Sequence, residues 1–132
     1  MIDYETTIFN NVHAVAAPLC AKNRFLSTPI LSYTNLPAAS LVEIDNRTVT
    51  EKRSTSKTED FVRVTYQLDV VAKTKSKCRE IFVAIDNHMI KLNFAREGGM
   101  NYIPTPDNGE IVRIAARYTA EIDSDGMIYR RP

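Results

Sequence analysis

Along this chain the spacing of apolar residues switches between two periods, and each switch marks an element. From Asp3 to about Cys20, the residues Ile8, Val12, Val15, Ala16 and Leu19 recur at helical spacing, which gathers them on one face of a helix. Asp3 can cap the first turn, and Pro18 marks where the helix ends or bends because proline lacks the helical donor. Lys22 to Pro37 contains Pro29, Pro37 and a polar run at Ser32-Tyr33-Thr34-Asn35. It reads as irregular, with a short extended piece at Ile30 to Tyr33. In Ser40 to Asp45, Val42 and Ile44 alternate with Leu41, Glu43 and Asp45, the pattern of a short strand.

Asn46 to Glu59, NRTVTEKRSTSKTE, has Val49 as its only apolar residue and predicts a long polar loop, a length that compact domains reserve for functional or disordered segments. Phe61 to Val71 then alternates cleanly. Val62, Val64, Tyr66, Leu68 and Val70 share one side, with Arg63, Thr65, Gln67 and Asp69 on the other, so one face is buried and the other wet. The period next returns to 3.6. Cys78, Ile81, Phe82, Ile85, Met89 and Leu92 form one stripe on a helix from about Ser76 to Leu92, with Ser76 as cap, Glu80 near the first turn and Asn93 closing it.

Ala95 to Gly109 contains Gly98-Gly99, Pro104, Pro106 and Asn108-Gly109 and reads as a second loop. In Glu110 to Asp123, Val112, Ile114, Ala116, Tyr118, Ala120 and Ile122 point inward, while Arg113, Ala115, Arg117, Thr119 and Glu121 point outward. Ser124-Asp125-Gly126 supplies a hairpin turn, and Met127 to Arg131 returns as the last strand. The predicted order is α-β-β-α-β-β. This is an α+β domain over residues 1–132, with an about four-stranded, largely antiparallel sheet and both helices on one face.

Composition narrows the function classes. The chain has 132 residues, enough for one core, and its net charge of +1 exerts no general pull on nucleic acid or membrane. The amino-terminal stretch has neither the basic region nor the apolar run of a signal peptide, and no segment is apolar enough to span a bilayer, so a cytoplasmic, membrane-free protein is expected. Cys20 and Cys78 have no partner spacing for zinc or a disulfide framework. Neither His13 nor His88 has a visible catalytic partner, and Asp86 and His88, two apart on a helix, lie on different faces. No catalytic, cofactor or metal residue is therefore assigned. Glu43 and Asp45 are expected on one side of their strand as a solvated or intersubunit pair. Basic residues cluster at Lys73, Lys75, Lys77 and Arg79, read as a solvated group, and at Arg113, Arg117, Arg130 and Arg131 in the final hairpin. Two arginines on one strand face can pair with carboxylates of a neighbouring subunit.

The path LPAASLVEIDN, the polar loop, VRVTYQLDVVAKTKSKCREIFVAIDNHMIKLNF, VRIAARYTAEID and the terminal IYRR resembles the small tail-terminator, or tail-completion, proteins of long-tailed phages and prophages of Gram-positive bacteria. The likeness runs from about residue 36 to 131. It is carried by the Tyr66 strand, the helix centre Ile85-Asp86-Asn87-His88-Met89 with Leu92-Asn93-Phe94, and the RIAARYTAEID strand. That family often has glycine before the phenylalanine at the helix exit, where this chain has Asn93.

The resemblance implies a structural protein without catalytic residues, assembled in the host cytoplasm and then resident in the virion at the head–tail junction. It would form a homo-oligomeric ring, expected to be a hexamer, that caps the major tail tube protein and presents a surface to a head connector or stopper. DNA would pass the lumen without specific recognition. A head-to-tail ring needs two different patches on each subunit. Arg113 and Arg117 facing Glu43 and Asp45 of a neighbour are one expectation; Lys52 and Arg53 on the loop, acting as an arm, and Arg130 complete the candidate interface. Two alternatives remain: another neck-ring protein on the head side, and a small nucleic-acid-binding domain.

Overall fold

The computed structural model describes residues 2–30, 35–48, 61–103 and 111–129. Helix α1 (Glu5–Ala16) runs into a 3-10 turn at Ala17–Leu19, with Pro18 where the helical ladder gives way. Then follow β1 (Phe25–Leu26), β2 (Ala38–Thr48), β3 (Phe61–Ala72), helix α2 (Lys75–Lys91), β4 (Ala95–Ile103), β5 (Val112–Asp123) and β6 (Ile128–Tyr129). The sheet order is β1-β2-β3-β5-β4, with β6 also pairing β5. β1 joins β2 in parallel and every other pairing is antiparallel.

The α+β class and the two helices on one face agree with the sequence reading. The strand number does not, because β1 and β4 were both expected to be irregular. β4 has no apolar alternation to betray it. It is an edge strand whose side chains are mostly exposed, and Gly98, at φ +68°, sits within a register shift between Glu97 and Asn101. A bulged, polar edge discourages pairing with other chains. A short strand forms at Phe25–Leu26, which the sequence reading left irregular; of the extended piece expected at Ile30 to Tyr33, residues 31–33 lie outside the described set. The strand at Ser40 to Asp45 reaches from Ala38 to Thr48, so it takes up the start of the polar loop; residues 49–60 lie outside the described set.

The core lies between the sheet and the helices. Ile8, Val12 and Ala16 of α1 and Cys78, Ile81, Phe82, Ile85 and Met89 of α2 are buried against Val62, Val64, Tyr66, Leu68 and Val70 of β3 and Ile114, Ala116, Tyr118, Ala120 and Ile122 of β5. Full burial of each large side chain is worth about 1.5–3 kcal/mol. Tyr66 meets Phe94 edge to face with ring centroids 5.6 Å apart. The α2 cap is Thr74, whose Oγ1 accepts from the Lys77 N–H; Ser76 was expected there. At the other end, Asn93 adopts φ +72°. Its N–H donates to the Ile90 carbonyl and that of Phe94 to the Met89 carbonyl, a Schellman closure of the helix. Phe94 is thereby turned into the core.

The opposite face of the sheet is less wet than the alternation implied. Asp69, Val71, Ala115, Thr119 and Glu121 are all buried on it. Pro29 and Ile30 line a cleft there together with Val42, Ile44, Gln67, Asp69, Val71 and Arg113, so the segment leaving β1 passes over part of that face.

Candidate interaction surface

The helix-free face of the sheet carries a fixed polar row across its two central strands. Register places Asp69 beside Ala115 and Val71 beside Arg113, close enough for Arg113 to reach diagonally. Its Nε and Nη2 donate to Asp69 Oδ1 at 3.1 and 2.8 Å, and Gln67 Nε2 donates to Oδ2 at 3.1 Å. Both carboxylate oxygens are thus satisfied within the chain. Farther along, Arg63 Nη2 lies 3.4 Å from Glu121 Oε1, a pair that the register sets directly opposite. The cleft at Arg113 encloses about 180 Å³, with the charged pair in its floor and Val42, Ile44 and Val71 in its walls.

Two sequence expectations change here. Arg113 was expected to seek a neighbour's carboxylate, but Asp69 of its own chain holds it. Arg117 remains outward and exposed, between Gln67 on β3 and Glu97 on β4, and among the described residues it makes no ion pair. Glu43 and Asp45 do not share a side. A register shift between them pairs Glu43 with Tyr66, on the helix side, and Asp45 with Thr65, on the open side. One extra residue at Ile44 is enough to turn the strand over. Asp45 then binds Arg47 at 2.6 Å, an exposed pair. Lys52, Arg53 and Arg130 lie outside the described residues.

The bulge also creates a cluster that two-residue spacing could not reveal. The amino end of α1 packs on β2 and brings Asp3 and Glu5 to Glu43, with carboxylate oxygens all within 4.8 Å of one another. Asp3 Oδ1 accepts from the Glu5 N–H, and Tyr66 Oη donates to Glu43 Oε1 at 3.5 Å. Burial first, then the charges of Glu5 and Asp3, push the Glu43 carboxyl up to about 7, against the opposing hydrogen bond from Tyr66. Such a group can share a proton or a cation, and is the one acidic trio of this kind among the described residues.

The two histidines, the two cysteines and Tyr118 are held by packing and hydrogen bonds. His88 Nε2 meets Asn11 Oδ1 at 2.6 Å and ties α2 to α1; burial and Lys91 lower its pKa. His13 is exposed and its ring lies beside Phe9 and Phe25. Burial pushes both the Cys20 and the Cys78 thiol up to about 11, where the reactive thiolate is scarce. Tyr118 Oη donates to Asp86 Oδ1 at 2.6 Å, and Arg96 Nη1 holds the same oxygen at 3.1 Å. That arrangement anchors α2 to β5 and β4. Among the described residues no helix is long and apolar enough to cross a membrane.

Compared with protein-family models and with curated proteins, the chain matches none.

Proposed function

We propose that this protein is a structural assembly subunit of a long-tailed phage, a tail terminator that closes into a ring on the finished tail tube and offers its far side to the head connector. The resemblance of residues 36–131 to that family motivates the reading. One structural observation supports it most: among the described residues, helices layer the sheet on one face only, while its other face holds the ion pairs Arg113–Asp69 and Arg63–Glu121 in set positions and leaves Arg117 exposed among them. Pre-positioned polar groups beside a small apolar cleft are the anatomy of a protein–protein contact, in which polar atoms fix register and apolar walls supply area.

The proposed contact differs from the one the sequence implied. Arg117, with Glu97, Asn101 and Ile103 around it, is the group on this face that a neighbouring subunit would neutralise. Glu43 turns the other way. A hexamer is the proposed ring order, and the tail tube protein, the neighbouring subunit and a connector or stopper are the proposed partners. Adding the purified protein to tail tubes and imaging them by electron microscopy tests the role. Tubes of fixed length with a capping ring are expected; tubes that keep growing, uncapped, would sink it.

A further inference from the structure

The start of α2 is charged in the wrong sense for its own stability. Lys73, Lys75, Lys77 and Arg79 surround its amino end and its first turn contains no acidic residue, although the positive pole of a helix favours carboxylates there. Like charges at this pole weaken the helix, so helix formation does not explain them. Nor are they neutralised: among the described residues only Lys77 has a carboxylate partner, Glu80 at 3.6 Å.

β4 adds a feature that the sequence hid while Ala95 to Gly109 read as a loop. Tyr102 stands opposite Ile114 in the register, on the helix side, and is 41% exposed. Lys75 Nζ lies 5.0 Å from its ring centroid and Arg79 Nη1 donates to its hydroxyl at 2.9 Å. The ring therefore holds both cations in place. Because the Tyr102 oxygen accepts from Arg79, its own proton is free for an outside acceptor.

We propose that Lys73, Lys75, Arg79 and Tyr102 form a binding surface for the phosphate backbone of duplex DNA. Lys75 and Arg79 gathered on Tyr102, with exposed Lys73 two residues before the helix, suit a row of phosphate oxygens, and none of these groups is shaped to read a base, so binding is independent of sequence. One subunit binds weakly. In a ring the patch repeats around the axis and the copies act together; that last step rests on the proposed assembly, whereas binding by the single chain does not.

Fluorescence anisotropy with a short labelled duplex, titrated over a range of salt, tests it. Binding at low salt is expected to weaken with log salt. The triple variant Lys73→Gln, Lys75→Gln, Arg79→Gln should flatten that slope by about 0.9 for each phosphate no longer neutralised, about 2.7 in all. Its thermal stability should change little, since relief at the helix pole offsets the lost contacts of Lys75 and Arg79 with Tyr102. Lys91→Gln, one charge fewer at the far end of α2, should bind as the wild type does. Three results would each overturn the inference: no binding by the wild type, an unchanged slope in the triple variant, or poly-glutamate competing as well as DNA at equal charge. Capping of tail tubes by a wild type that ignores DNA would fell this inference and leave the assembly role standing. DNA binding without capping would do the reverse.

Discussion

At the scale of single residues, two charged groups and one aromatic make the structure testable. Asp69 is the counter-ion of a half-buried arginine, so Asp69→Ala leaves Arg113 without its partner and should destabilise the fold by about 1–3 kcal/mol. Denaturant unfolding measures this, and an unchanged midpoint would show the pair to be idle. For the same reason, Arg113→Glu would set two carboxylates together and report on folding rather than assembly. Glu43 makes a pH prediction. Its carboxyl is raised from 4.5 to about 7 in the folded chain, so the folded state holds the proton more tightly. The stabilisation is complete below pH 4.5 and is lost as pH rises through 7. Glu43 is half open to water, so screening limits the effect to on the order of 1 kcal/mol. Melting curves of Glu43→Gln should lack the wild type's decline across that window; parallel curves would refute the link. In the core, Phe82→Ala should cost about 3–5 kcal/mol, because Phe82 is only 2% exposed.

At the scale of elements, the exit of α2 gives a paired prediction. Asn93 occupies the left-handed region and its Nδ2 donates to the Ile128 carbonyl at 3.2 Å, joining the helix end to β6. Asn93→Ala should destabilise by about 1–2 kcal/mol, from the steric cost of that conformation plus the missing hydrogen bond. Asn93→Gly should cost less, since glycine removes the steric part. Equal effects in thermal unfolding would mean that the side-chain bond dominates. The elements visible in the sequence were those with one buried side: the Val62–Val70 alternation and the Cys78–Met89 stripe correspond to β3 and α2 almost residue for residue. Those missed were the ones at the margins. β1 is two residues long, and β4 pairs along one side only and exposes most side chains, so neither leaves a hydrophobic period to read. The candidate surface was half visible for a related reason. Arg113 and Arg117 do face outward, as alternation requires, but the bulge at Ile44 has no signature in residue type, and the pairing of Arg113 with Asp69 depends on a register that joins residues far apart in the chain.

At the scale of the whole molecule, the proposed ring places Arg117 at a subunit boundary. Arg117→Glu should leave thermal stability within about 0.5 kcal/mol of wild type, as exposed substitutions usually do, while light scattering at matched concentration should show ring formation reduced. Rings indistinguishable from wild type would move the boundary elsewhere on the molecule. The same variant should keep its affinity for duplex DNA, because the cations of α2 and Tyr102 lie on the helix side of the sheet and Arg117 on the other.

Residues near the two ends of the described chain are fastened together. Tyr4 Oη donates to the Ser124 carbonyl, and Gly126 at φ +84° leaves room for the Tyr4 ring, which an added Cβ would meet at 3.0 Å. Asn46 Nδ2 holds the Ile2 carbonyl at the same end of the sheet. On the ribosome, then, Tyr4 waits for a partner made 120 residues later. β3 likewise cannot complete its pairing until β5 has been made, and partners this distant in sequence slow folding. A chain halted after Asp123 should therefore yield its amino-terminal segment to protease faster than the full chain does. The amino-terminal segment thus gains this fastening only once Ser124 has been made.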